Sequence, residues 1–110
     1  MEIANIPFVT TNWNTIEPTE HKGETGTSYW RTCNFGNIRV RVVEYSANFL
    51  MDHWCSKGHI FYCLEGEFQV ELNDGRTFTL TPGVGYQVAD NAEAHRHSTA
   101  SIGAKVFVVD

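Results

Sequence analysis

Positive charge is scarce in this chain: eight Lys and Arg side chains stand against thirteen Asp and Glu, a formal net charge of −5. A domain of that sign lacks the cationic footprint that a phosphate backbone requires, which argues against nucleic acid as a partner. Charge of this kind serves chiefly to keep a small protein soluble. Long apolar runs are missing as well, so no segment is suited to crossing a bilayer. The chain opens Met1-Glu2-Ile3-Ala4-Asn5, without the basic start and apolar stretch of a secretory signal. Cysteine is sparse and unpaired: three residues, an odd number at irregular spacing, do not make a disulfide framework and suit thiols kept reduced. The expectation is a cytoplasmic protein that engages neither membrane nor nucleic acid.

What is present is globular. With 110 residues, 42% hydrophobic and 19% charged, the chain fits one domain with a core of its own. Residues 1–27 are irregular, punctuated by Pro7, Pro18, Gly23 and Gly26. They read as an N-terminal arm with at most a short strand, anchored on the body by Phe8, Trp13 and Ile16. From Ser28 to Asp110 the period is close to two. Ile38, Val40 and Val42 alternate with Arg39 and Arg41, and Phe68, Val70 and Leu72 alternate with Glu67, Gln69 and Glu71. Asn73-Asp74-Gly75 between two such runs is a strong hairpin signal. Only 91–95 could pass for a helical turn. The pattern predicts an all-β chain, an antiparallel barrel or jelly roll over 28–110.

Four of the five histidines fall between 53 and 97, in two groups. On an extended strand His53 and Cys55 would share a face, about 7 Å apart along the backbone. Ser56-Lys57-Gly58 then breaks the strand and His59 opens the next, so His59 can face the same point from the side. His95-Arg96-His97 can supply a fourth ligand from a later strand. Imidazole and thiolate are the donors that zinc and the late first-row metals favour. Taken singly, each of these residues is more often a buried polar group or a small core hydrophobe. Taken as a set, two donors on one face and a third past a glycine turn point to a divalent metal. Cys63, on the face of His59, reads as core, and Asp52, Asp90, Glu44 and Tyr45 are unranked candidates for supporting groups. Arg39 and Arg41 read as solvent-facing, or one of them reaches inward as an anion clamp. The 21–26 loop reads as surface.

The order His53-x-Cys55, three spacers, His59, six spacers, Gly66 resembles the first motif of the cupin superfamily. Leu80-Thr81-Pro82-Gly83 followed by a strand and His95 resembles the second. Asp52-His53-Trp54-Cys55 with Gly58-His59 is similar, more narrowly, to the small "DHCW motif" cupin-fold family. The resemblance implies a single-domain cupin barrel and a metal held by His53, Cys55, His59 and His95, with His95 preferred over His97 by motif position. Cys55 stands where cupins usually place a second histidine, and His59 where they place a glutamate. The implied donor set is therefore three imidazoles and a thiolate, which favours zinc and also suits nickel, iron or copper. The functional expectation is a small metal-binding cupin that binds or senses a small molecule in its barrel. The alternative is a metal-dependent enzyme of dioxygenase, isomerase or hydrolase type acting on a small polar substrate. The N-terminal arm and the C-terminal strand are apolar enough to cover a neighbour, and edge strands left bare would risk aggregation, so a homodimer is expected.

Overall fold

The computed structural model describes residues 2–110. Among these residues, one 3-10 turn at Trp13–Thr15 precedes nine strands: β1 (Thr19–Lys22), β2 (Thr27–Phe35), β3 (Ile38–Tyr45), β4 (His59–Gly66), β5 (Phe68–Leu72), β6 (Thr77–Leu80), β7 (Gly85–Val88), β8 (His95–Ser98) and β9 (Ala104–Val109). All pairings are antiparallel. They form a six-stranded sheet in the order β1-β2-β3-β9-β4-β7 and a three-stranded sheet in the order β6-β5-β8. The architecture is the all-β jelly roll that the period-two pattern predicts.

Strand alternation decides what faces inward. On β4, His59, Phe61 and Cys63 are buried while Ile60, Tyr62 and Leu64 are exposed; on β9, Ala104, Val106 and Val108 are buried. These residues close with Val43, Phe68, Val70 and Leu80 into one core between the sheets. Phe68 is fully buried, and a ring of that size contributes about 2–3 kcal/mol by burial. The hairpin falls where the sequence places it: Leu72 N–H donates to the Arg76 carbonyl at 2.8 Å, and Gly75 takes φ 96°, a value that costs glycine little. Residues 90–92 form a turn that leads, through a bend at Glu93, into β8.

Two expectations need correction here. Phe8 does not anchor the arm, since it is 97% exposed. Trp13 does, meeting Phe107 edge-on at 6.3 Å between ring centroids. The segment around residue 53 is also not a strand. Residues 46–58 cross from β3 toward β4 as a loop tacked to its neighbours by isolated bridges, Thr25 to Leu50, Leu50 to Ser98 and Cys55 to His95.

Candidate metal centre and its cavity

The bridge between Cys55 and His95 builds the site. Cys55 N–H donates to the His95 carbonyl at 2.8 Å, and His95 N–H returns a bond to the Cys55 carbonyl at 2.9 Å. The crossing loop is thereby fixed against β8 of the smaller sheet. Three residues later, Gly58 N–H donates to Asp90 Oδ1 at 2.7 Å, which turns the chain into β4 of the larger sheet. A Cβ at Gly58 would lie 2.7 Å from the Asp90 nitrogen, so the turn needs glycine's bare backbone. His59 follows immediately, buried and pointing inward. One donor atom from each of Cys55, His59 and His95 lies within 4.8 Å of the other two.

The donor atoms that converge are set by what the other ring nitrogens do. His59 Nδ1 lies 2.8 Å from Asp110 Oδ2, and His95 Nδ1 lies 2.9 Å from the Glu93 carbonyl. Both partners are acceptors, so each Nδ1 carries its proton and each Nε2 presents a lone pair. His59 Nε2 is 3.6 Å from Cys55 Sγ. Donors about 2.3 and 2.05 Å from one tetrahedral ion stand about 3.6 Å apart, so the spacing fits a shared metal. It would also fit a weak hydrogen bond to sulfur. His95 Nε2 distinguishes the two: it is buried and has no hydrogen-bond partner among the described residues. An orphaned buried lone pair costs about 1–3 kcal/mol unless something occupies it. Burial, and then the neighbouring His59, lower the His95 pKa against the pull of the Glu93 carbonyl, which favours the neutral ring a metal requires. The Cys/His/His cluster suits a divalent metal ion.

Two of the histidines stand apart from this cluster. His53 was expected to share a face with Cys55, but the chain bends at Asp52 and His53 instead of running extended. The His53 side chain is 65% exposed and its Nδ1 lies 2.7 Å from Asp52 Oδ1. It stands on the rim of the cavity, outside the three converging donors. His97 is buried, with Nε2 2.6 Å from the Tyr86 hydroxyl. Burial raises the Tyr86 pKa and holds His97 neutral. The phenol therefore donates to His97 Nε2 and occupies its lone pair.

Asp110 belongs to the site and was not anticipated. Its side chain is 1% exposed and joins His59, Arg39 and Arg41: Arg39 Nε donates to Oδ1 and Arg41 Nη2 to Oδ2, both at 2.9 Å. Burial pushes its pKa up, but hydrogen bonds from His59 and Arg39 and the charges of both arginines hold it below the usual carboxylate range. The signal was in the register. Ala104, Val106 and Val108 face inward, and Asp110, two residues further on, continues that face while its backbone exchanges hydrogen bonds with Arg39. Of the other candidate supporting groups, Asp52 serves His53 and Asp90 holds the Gly58 turn. Glu44 pairs on the outer side with Arg31 and Lys105.

A cavity of about 630 Å³ opens onto Cys55 and His59 from the barrel mouth. Its walls include Trp30, Tyr45, Phe49 and Arg41. Arg41 is the inward-facing arginine: it is 6% exposed and lies over the Trp30 ring at 4.4 Å. Trp30 in turn stacks on His21 at 3.7 Å, so the residues read as a surface loop start in β1 and form one side of the mouth.

No family model matches the sequence, and no curated protein does. The fold is shared with solved structures of low sequence identity. A predicted oxalate decarboxylase from Thermotoga maritima superposes with a TM-score of 0.78 at 14% identity, covering 92% of this chain and 96% of that one. The polyketide cyclase RemF from Streptomyces resistomycificus gives 0.75 at 20% identity, with 94% and 78% covered. A cupin-2 domain protein from Shewanella frigidimarina gives 0.59 at 20% identity, with 74% and 78% covered. Two sheets closing on inward-facing histidines, and these structural neighbours, agree on one conclusion: the chain has the cupin fold.

Proposed function

We propose that this protein is a small metal-binding cupin that holds a divalent ion, zinc by preference, through Cys55, His59 and His95, and binds a small molecule at that ion from the barrel mouth. The observation that carries the reading is the orphaned Nε2 of His95, buried beside a thiol and a second imidazole whose proton is already committed elsewhere. Thiolate and neutral imidazole favour zinc over the harder cations. The four-donor shell expected from the sequence would close a tetrahedron and leave no open position. With His53 on the rim, three protein donors would leave a fourth position that no protein donor fills, beside a cavity that reaches Cys55 and His59, as in sites that bind ligands rather than in purely structural ones.

A second reading, a metal-dependent enzyme, is favoured by one observation: the cavity reaches Cys55 and His59 directly, so a molecule inside it lies next to the donors. A divalent ion bound there would polarise a carbonyl or activate water. Asp110 fixes the tautomer of His59, and the Tyr86 hydroxyl occupies the Nε2 lone pair of His97, which burial keeps neutral. The three free thiols suit a reducing compartment such as the cytoplasm.

The test is metal content with X-ray absorption on untagged protein. The wild type is expected to carry about one equivalent of metal with a sulfur neighbour near 2.3 Å. His59→Ala and His95→Ala should each empty the site, while His53→Ala should keep it filled. Full occupancy in His95→Ala, or loss of metal in His53→Ala alone, would overturn the three-donor assignment.

A further inference from the structure

The cavity's charge runs against that of the chain. The whole protein is formally −5, yet the charged side chains on the cavity wall are four cations, Lys22, Arg39, Arg41 and Lys57, against two carboxylates, Glu20 and Asp52. One of those carboxylates, Asp52, is already bonded to His53. Arg41 is the most deeply placed of the cations, with a side chain 7% exposed. A single Nη2 bond to Asp110 engages it, and its buried Nε has no partner among the described residues. Asp110 cannot neutralise the pair of arginines, because it serves Arg39, Arg41 and His59 at once. A guanidinium buried with an unmet donor is costly unless an acceptor arrives. Arg41's depressed pKa, caused first by burial and then by Arg39, reflects that cost. Its guanidinium carbon lies 4.4 Å from the Trp30 ring centroid, a cation–π contact that holds the side chain at the cavity wall.

We infer that the cavity takes a small organic carboxylate, bound by Arg41 on the wall formed with Trp30. The inference deepens the ligand-binding reading above by naming the chemical class, and it rests on that reading only for the cavity being a ligand site. Trp30, Tyr45 and Phe49 supply apolar walls for the body of the molecule, and the guanidinium fork supplies the specific contact. The carboxylate would meet Arg41 alongside Asp110, so the ligand completes a charge balance that the protein leaves unfinished.

The test compares carboxylates with their neutral amides, acetate with acetamide, succinate with succinamide and benzoate with benzamide. Calorimetry is run on the protein as purified and after chelator treatment, with metal content measured in parallel. At least one carboxylate is expected to bind about tenfold or more tighter than its amide. That preference should survive chelation, because Arg41 carries it. Arg41→Lys should weaken the carboxylate about tenfold and leave the amide unchanged. Arg41→Gln alone leaves Asp110 short of a buried partner and is prone to unfold, so the double variant Arg41→Gln/Asp110→Asn, which removes both charges, keeps the test open. It should abolish the preference. Equal affinity within every pair overturns the inference, as does a preference that vanishes on chelation or persists in the double variant. Metal bound without any carboxylate preference would sink this inference alone; preference without metal would sink the metal reading alone.

Discussion

Asp110 shows how one side chain can set several others. Its two oxygens receive Arg39, Arg41 and His59, and the bond from His59 leaves Nε2 as that ring's lone pair. Metal-bound histidines commonly need such a partner, and losing it typically lowers affinity by about 10–100-fold. Tyr45 poses a different problem. It packs between Phe49 and Phe68, each 4.9 Å away by ring centroid, and burial raises its pKa. Tyr86 is raised in the same way, by burial first and Tyr45 second. A folded value above the unfolded one of about 10 means the unfolded chain releases its proton first as pH rises. The contribution is fully present below about pH 10 and fades above it, by about 1.4 kcal/mol per pH unit for each such tyrosine. Denaturant melts between pH 8 and 11.5 should show that decline, and Tyr45→Phe should roughly halve its slope. Identical slopes would mean that Tyr45 ionises as readily in the folded protein as in the unfolded chain.

Among the elements, the β5–β6 hairpin offers a clean test of turn chemistry. Gly75 sits at φ 96° with nothing within 4 Å of where a Cβ would stand. Gly75→Ala therefore meets no clash, and its cost is conformational, about 1–2 kcal/mol. A chemical melt that shows no loss would mean the turn relaxes to another type. This hairpin and the alternation of β4 and β9 could be read directly from the sequence, because both depend on near neighbours in the chain. Cys55, His59 and His95 could be read too, since a glycine turn and a late strand leave them little choice of face. The placement of His53 could not. Extension through 53–55 was the natural reading of alternation, and the bend at Asp52 and His53 overrides it locally. Nor could the bond between Arg41 and Asp110, which joins residues 69 apart in the chain and exists only once β3 and β9 pair.

At the scale of the molecule, the outer face of the larger sheet leaves apolar side chains exposed. Ile60 is 50% exposed and Tyr62 45%, on the side of β4 turned away from the core, next to Phe107 and Val109 on β9. We propose that this face joins two copies of the chain, and light scattering at micromolar concentration should give the mass of a dimer. Ile60→Glu should shift it to monomer without changing the fold; a wild-type monomer would leave the face without that role. No helix among the described residues is long and apolar enough to cross a membrane. The bridge between Cys55 and His95 has a kinetic consequence. It pairs residues forty positions apart and ties the crossing loop to the smaller sheet, while His59 opens a strand of the larger one. Two of the three donors can approach each other during local collapse, but the third arrives only when that long loop closes and the sheets dock. Contacts of this reach are slow to form. Metal capture in refolding protein should therefore lag the burial of tryptophan, and an ion offered early would find only fragments of its shell.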